Sequence, residues 1–458
     1  MMAPRSKLLL WFGLTALPLS LIPALKPEAT AVATLGIGVL LLLLLLDALR
    51  AYGSLDHLHV ELPPVLRLSK DREGTLELRV HNQTRQARTL RVGLPFPREI
   101  TSPLEDQSIQ LAADAEWSTA HWPCTAVRRG NYALNTVYVE GVSPFGFWSV
   151  RNAQPVATQI RVYPNLKQDR KSLAALFLNR GAFGVHAHRQ VGKGRDFEKL
   201  REYVPGDSYD DIHWKATARR ARPITKVFQI EKTQEVYVVI DASRLSARSG
   251  RGTMAPAPEV GTSVEATIQE ETLLERFVTS ALVLGMAAEH HGDLFGLLTF
   301  SDRVEAFVRA KNGKAHYQTC RDALYTLHPR EVTPDFDDVA TFLRHTLRRR
   351  ALLIFLTSLD DPVAAENFVR HAELLCRQHV VLVNMPKPAD AAPMFSNPEA
   401  PDVDALYRRL GGHLQWHNLR ELQKVLERRG VKFSLVDNDR LSVELVAQYL
   451  SVKQRQLI

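Results

Sequence analysis

Apolar residues recur along this chain in three rhythms, and each predicts a different kind of element. The first is unbroken: eighteen uncharged residues from Leu8 to Leu25 and eighteen more from Ala29 to Leu46, the latter closing on seven leucines from Leu40. Each run is near the minimum needed to carry a helix across about 30 Å of hydrocarbon, so two N-terminal transmembrane helices are expected over residues 1–50. Arg5 and Lys7 precede the first run, the loop Lys26-Pro27-Glu28 is nearly neutral, and Arg50, Arg67 and Lys70 follow the second. By the positive-inside rule both flanks stay inside, which predicts a multi-pass protein of the inner (cytoplasmic) membrane with its large C-terminal part in the cytoplasm. A cleaved signal peptide competes for the first run, through its basic start and Ala29-Thr30-Ala31, although that site lies far past the run and abuts the next one.

The second rhythm is alternation at period two, over His57–Leu62, Thr75–Val80, Thr89–Leu94 and Thr136–Glu140, with turns such as His81-Asn82-Gln83 and Arg129-Gly130-Asn131 between. Half-buried strands follow, and with them an antiparallel β-sandwich of immunoglobulin-like type over residues 51–165. Trp117, Trp122, Phe145, Phe147 and Trp148 could form a ligand platform, but aromatics at strand positions are more often core.

The third rhythm, over residues 234–458, sets short apolar runs between amphipathic stretches. Strands are predicted at Val236–Ile240, Leu294–Phe300, Leu352–Leu356, Val380–Asn384 and Lys432–Val436, and helices near Thr272–His290, Tyr317–Leu327, Phe336–Arg348 and Ala364–Arg377. This is an α/β domain, a doubly wound and mostly parallel sheet covered on both faces, whose ligands gather at the carboxyl ends of the strands. Two polar stretches, Ala247–Thr267 and Pro386–Pro401, lack apolar periodicity and are expected as surface loops.

Composition adds limits. The chain has 458 residues, 45% hydrophobic and 24% charged, which suits several folded modules and not a disordered chain. Its three cysteines, Cys124, Cys320 and Cys376, are odd in number and far apart, which fits a reducing compartment better than a disulfide framework or a metal cage. A formal charge of +8 would allow nucleic acid as a partner, but the Lys and Arg residues are dispersed, and this argues against it. His186 with His188, and His290 with His291, lack the spacing of a zinc site and read as exposed polar residues. No nucleophile elbow, HExxH helix or Cys/His pairing is present.

Between the second and third rhythms, residues 166–233 hold the densest mixture of charged, aromatic and turn residues, from Gly192 to Arg222. Pro205-Gly206-Asp207 is a turn, Asp207 or Asp210 can cap a short helix through Ala218, and Arg195, Arg201 and Arg219 can pair with those carboxylates. Internal pairing of this kind is the first reading. The alternative is a recognition surface formed by Arg195, Asp196, Tyr203, Pro205, Gly206, Asp207, Trp214, Lys215 and Arg219. A metal-assisted nuclease or hydrolase built on Asp207, Asp211 and Lys215 has weak support, because His213 stands where a second acid is wanted. Gly192-Lys193-Gly194 lacks the spacing of a phosphate loop.

The run "GRDFEKLREYVPGDSYDDIHWKATARR" (Gly194 to Arg220) resembles the signature of the bacterial family of domain of unknown function 58, as do "RRGNYALNTVYVEGVSPFGFW" (Arg128 to Trp148) and "IRVYPNL" (Ile160 to Leu166). The resemblance implies that the α/β domain is von Willebrand factor A-like and that the protein partner is a MoxR-type AAA+ ATPase. It also implies a metal-adhesion motif at Asp241-Ala242-Ser243, with Mg²⁺ as the possible ion and Asp241, Ser243, Thr333 and Asp360 as candidate ligands. The sequence departs from that pattern: Leu245 holds the second serine position, and Ser358 stands where aspartate is usual. Such losses weaken a hard-cation site. The expectation is a membrane-anchored, non-catalytic protein-binding or assembly factor; a hydrolase or nuclease, or a basic nucleic-acid-binding module, are the alternatives.

Overall fold

The computed structural model describes residues 1–25, 30–84, 87–113, 115–167, 169, 191–205, 208–229, 234–249, 271–388, 391–394 and 403–455, with backbone alone at 22–25, 191–199 and 227–229. The chain forms two compact units, Met1–Asn165 and Leu166–Ile458.

In the first unit two helices, α1 (Ser6–Leu25) and α2 (Thr30–Ala51), precede a two-sheet β-sandwich. Of the two expected spans, α2 is long and apolar enough to cross a membrane, whereas the apolar stretch of α1 over described residues, Ser6–Leu21, is shorter. α1 also carries Pro18, whose ring removes a helical N–H. The helices meet where Gly36 leaves room for Leu19: a Cβ there would lie 3.2 Å from the leucine methyl.

One sheet orders β1 (Met2–Pro4), β10 (Trp148–Tyr163), β9 (Gly130–Val142), β5 (Arg88–Gly93) and β7 (Asp106–Leu111), with β3 (Val65–Ser69) parallel to β10. The other orders β2 (Leu58–Glu61), β4 (Glu73–Asn82), β8 (Trp117–Ala126) and β6 (Ile100–Thr101). Alternation does the work expected of it: Leu76, Leu78 and Val80 of β4 and Trp122, Cys124 and Ala126 of β8 point into one core. Of the five aromatics weighed above, Trp122 is fully buried and donates its indole N–H to Ser102 Oγ at 2.9 Å. Trp148 is instead tied to α2, donating to the Leu44 carbonyl at 3.1 Å.

That contact belongs to a larger joint. Asp47, the single acid within α2, is fully buried and accepts hydrogen bonds from Ser143 Oγ (2.7 Å), Phe145 N (3.0 Å) and Phe147 N (3.3 Å) in the turn between β9 and β10. The turn closes on Gly146 at φ +80°, a conformation that favours glycine. Lys7 donates to the Phe145 carbonyl at 3.0 Å, so the start of α1 and the end of α2 both reach this turn.

The second unit is built on a six-stranded sheet, ordered β15 (Val304–Lys311), β14 (Leu294–Phe300), β13 (Glu235–Asp241), β16 (Leu352–Leu356), β17 (Val380–Pro386) and β18 (Lys432–Val436). All pairings are parallel except that of β15 with β14. β13 shows why the sheet needs cover on both sides: Val236, Val238 and Ile240 enter one core while Tyr237 and Val239 enter the other. The first core is shared with α4 (Leu273–His290), α5 (Lys314–Leu324) and α9 (Leu441–Gln454). The second is shared with α6 (Phe336–Thr346), α7 (Pro362–Cys376) and α8 (Val403–Arg428). Close approach fixes Gly296, where a Cβ would fall 2.6 Å from the Tyr237 ring and 2.7 Å from the Val308 carbonyl.

Ahead of this sheet, β11 (Val191–Glu202) pairs antiparallel with β12 (Ile224–Gln229), and the short helix α3 (Trp214–Arg220) lies between them. The two loops expected from composition fall largely outside the described residues, at 250–270, 389–390 and 395–402. His186 and His188 also lie outside them. His291 differs from the expectation of an exposed pair: it packs against the ring of Tyr449 at 6.1 Å, and burial holds its imidazole below the ordinary histidine pKa.

Candidate functional site: the carboxyl edge and the signature turn

Strand order reverses between β13 and β16, and in open α/β sheets the crevice beyond such a switch point is where ligands bind. The last residue of β13, Asp241, stands at this edge with no exposed surface. Its Oδ1 accepts from Ser243 N at 2.8 Å and its Oδ2 from Thr357 Oγ1 at 2.6 Å. Burial pushes the Asp241 carboxyl above its ordinary range, and the Thr357 and Ser243 hydrogen bonds oppose that rise.

Around Asp241 the oxygens face one another. Ser243 Oγ accepts from Leu245 N at 3.4 Å, and Ser246 Oγ donates to the Ser243 carbonyl at 2.8 Å. Leu245 sits in the second core with 1% of its surface exposed, so the position that lacks an oxygen is a packing position. Across the edge, Ser358 Oγ donates to Asp360 Oδ1 at 2.7 Å, while Arg248 forms an ion pair with the other Asp360 oxygen. Arg244 reaches Asp361 at 3.2 Å, and Asp361 caps α7 through Val363 N at 3.0 Å. Beside them Arg330 pairs with Glu305 at 3.0 Å, and Ser301 Oγ donates to Glu305 at 2.6 Å. The Ser301 hydroxyl also approaches Asp302 at 2.9 Å and holds that carboxyl below its usual range.

Of the four candidate ligands, the fold brings Asp241 and Ser243 together, holds Asp360 through Ser358 and Arg248, and leaves Thr333 exposed on the loop before α6. Three residues that matter here were not nominated from sequence: Thr357, the first polar residue after the β16 run, and Arg244 and Arg248. An octahedral Mg²⁺ site calls for several hard oxygens free to turn to the ion. Here both Asp241 oxygens are engaged, Leu245 supplies none, and guanidinium groups hold the neighbouring carboxylates. This donor set fits a hydrogen-bonded carboxyl better than a divalent ion, and no cluster of three His, Cys, Asp or Glu suited to a metal occurs among the described residues.

The signature turn is organised by its backbone. Tyr203 N donates to the Pro223 carbonyl at 3.0 Å and His213 N to the Ile224 carbonyl at 2.8 Å, and Ile212 and Ile224 are buried beneath. The cap of α3 is neither Asp207 nor Asp210 but His213, whose Nδ1 accepts from Ala216 N at 3.1 Å. The reason is position: Asp210 lies in the 3₁₀ turn Tyr209–Asp211, too early to reach the first free N–H groups of a helix that starts at Trp214. Among the described residues the arginines of this stretch make other contacts as well, while Asp207 and the Arg195 side chain, part of the expected pairing, lie outside them. Arg201 donates to the Glu202 carbonyl at 3.3 Å, and Arg222 forms the ion pair with Glu202 at 3.2 Å. Tyr209 and Trp214 face outward, 75% and 69% exposed, with Tyr203 stacked against Tyr209 at 6.0 Å. Pro205, Lys215 and Arg219 are exposed beside them. Arg195 and Asp196 lie on β11 with their side chains outside the described residues, as are Gly206 and Asp207 entirely.

Known proteins resemble this chain in parts. An uncharacterized protein of Mycobacterium bovis and two of Mycobacterium tuberculosis are each 24% identical over 223 residues, 48% of this chain and 62% of their own. The chain thus spans about three fifths of the length of the curated relatives it matches. Among solved structures, a protein of unknown function from Porphyromonas gingivalis W83 is 18% identical with a TM-score of 0.18, covering 24% of this chain and 49% of that one. The YadV chaperone is 10% identical with a TM-score of 0.17, covering 23% and 52%. Likeness of that degree is local and says nothing of function. The stretch that holds the end of β11, the signature turn and the Asp241 edge is the informative one: over residues 199–394 the chain matches the family described as "Protein of unknown function DUF58".

Proposed function

We propose that this protein is a membrane-anchored, non-catalytic binding or assembly factor, whose second unit is a von Willebrand factor A-like domain that engages a protein partner. The observation that carries this reading is the condition of the carboxyl edge. Its central acid is buried with both oxygens occupied, and the flanking acids are held by Arg244 and Arg248, so no group there is poised as base or nucleophile. What remains is a shaped polar edge, with an exposed Tyr209–Trp214 pair on the same unit. Surfaces of that composition suit protein recognition.

The anchor reading is a hairpin of two spans, α1 out and α2 back, in the inner membrane, with both units on the cytoplasmic side. It is supported by β1, which pairs Met2–Pro4 with Trp148–Val150 of the sandwich, so the chain before α1 and the chain after α2 lie on one side of any bilayer crossed by the helices. The basic residues Arg5, Lys7 and Arg50 flank the same ends. The partner class, a MoxR-type AAA+ ATPase, follows from the family resemblance. Purification of the full chain from detergent with such an ATPase, with and without nucleotide, tests the reading. Retention that is lost on Trp214→Ala is expected; no retention in any nucleotide state overturns it.

A further inference from the structure

We propose that the outward face of α8 lies in the headgroup region of an anionic membrane. Successive residues of a helix turn by about 100°. On that wheel the buried residues of α8, Gly412, Leu419 and Leu426, form one line at a spacing of seven, and it packs against α7 and β18. The first twelve residues reverse the usual amphipathic logic. Val403, Leu406, Tyr407, Leu410 and Leu414 fall within a stripe about 100° wide on the opposite side, and all five are between 40% and 68% exposed. A contiguous apolar stripe on the solvent side of a packed helix calls for an occupant.

Two observations select a bilayer. The chain carries its own apolar span, α2, so lipid is present at high effective concentration wherever the protein is. One flank of the stripe is basic, with Arg409 and, farther along, Arg420, which stacks over Trp416 at 5.4 Å; the other flank carries the single Asp404, and Arg408 projects toward the packed side, leaving these first turns net positive. An arginine flank with Tyr, Trp and Leu is the composition of a helix lying in the plane of an anionic interface, where long cationic side chains reach the phosphates.

The inference rests on the membrane reading of α2, and the test separates the two. The full chain carrying Cys376→Ser and Leu410→Cys is labelled with an environment-sensitive dye; Cys124 and Cys320 are buried and stay unlabelled. It is reconstituted in phosphatidylcholine discs, with and without phosphatidylglycerol, containing lipid spin-labelled near the headgroup. Flotation with liposomes after an alkaline wash reads the tether alone. Quenching of the label is expected, increased roughly tenfold in bound-to-free ratio by the anionic lipid and reduced by salt. Leu406→Gln in the same background should abolish the increase without lowering Tm, because that side chain is exposed. Three outcomes overturn the proposal while flotation stands. One is quenching no greater than at Asp322→Cys on α5, across the sheet. Another is oxidative Leu410→Cys cross-linking between copies, which assigns the stripe to a second chain. The last is shielding from aqueous quencher without lipid quenching, which assigns it to a protein.

Discussion

Replacing Asp241 by Asn separates a hydrogen-bonded structural carboxyl from a metal ligand. In the folded chain the carboxylate has no exposed surface, and the effective cost of burying one ion is several kcal/mol. The bonds from Ser243 N and Thr357 Oγ1 return about 1.5–3 kcal/mol each, so the charged group is close to break-even. Asparagine keeps the same shape. Its Oδ1 accepts from Ser243 N, its Nδ2 donates to Thr357 Oγ1, and no charge is buried. The expected result is stability equal to the parent or higher by up to about 2 kcal/mol, a rise of roughly 0–8 °C in the transition of the second unit at 2–4 °C per kcal/mol. The sign with pH follows. The folded carboxyl titrates above its unfolded value, so the unfolded chain ionises first and parent stability falls as pH rises from about 4 through the folded pKa. The advantage of Asn should therefore shrink as pH is lowered toward 4. A metal ligand behaves otherwise: Mg²⁺ at about 100 times its Kd would add about 2.7 kcal/mol to the parent and nothing to the variant. Differential scanning calorimetry of the full chain, with and without Mg²⁺, decides the matter. A Tm rise of more than about 5 °C with Mg²⁺ that vanishes in Asp241→Asn refutes the reasoning.

Four further outcomes follow from the same geometry. Lys453→Met leaves Asp293 buried at 1% exposure without its ammonium partner at 2.6 Å, and should cost about 3 kcal/mol by urea denaturation, much of it restored by adding Asp293→Asn. His291 and His379 both titrate below the ordinary histidine value because of burial, so the unfolded chain takes up protons first; stability should be constant above about pH 6.5 and decline below it, and His379→Gln should reduce that slope. Asp47→Ala removes the acceptor of three hydrogen bonds at the joint between α2 and the β9–β10 turn, and should expose Arg151 and Arg5 to trypsin in detergent, with about 3 kcal/mol lost from the sandwich transition. Trp214→Ala should weaken partner binding by roughly 30-fold while shifting Tm by no more than 1–2 °C, since the side chain is 69% exposed; loss of folding instead would place Trp214 in the core.

Where side chains were buried on both faces, the sequence was easy to read: the runs at Val236, Leu294, Leu352 and Val380 became β13, β14, β16 and β17 with ends shifted by two residues at most. The strands and helices that were missed fail for stated reasons. β15 is a half-buried edge strand whose inward residues are diluted by Glu305 and Arg309, and β8 is interrupted in sequence by His121 and Pro123 although its alternation is intact in space. α8 eluded a core-periodicity search because its apolar stripe faces away from the core. In the signature turn, the helix was legible but its cap was not: aspartates are the usual caps, and nothing local reveals that the three-residue 3₁₀ turn Tyr209–Asp211 and Ile212 come before His213 arrives.

The Asp241 edge carries the more general lesson about reading sites from motifs. Asp241 and Ser243 were recognisable as residue types at the end of a central strand, yet their chemistry is set by residues far away in sequence. Thr357 lies on the neighbouring strand and satisfies one carboxylate oxygen, while Arg248 reaches Asp360 across the gap from β13 to β16. The fold supplies the same switch-point geometry that elsewhere holds ions and cofactors. In this chain hydroxyl and guanidinium donors fill the place of a cation, because a buried carboxylate must be neutralised or hydrogen-bonded by something. The remaining freedom of this edge lies in the partly exposed rim, where Arg244 could exchange Asp361 for the carboxylate of a proposed partner at small net cost, since solvent-exposed ion pairs contribute about 0–1 kcal/mol, whereas Asp360 beside Arg248 is largely buried. Such an exchange would make binding fall with ionic strength, and would tie it to Arg244 and not to the acid beneath it.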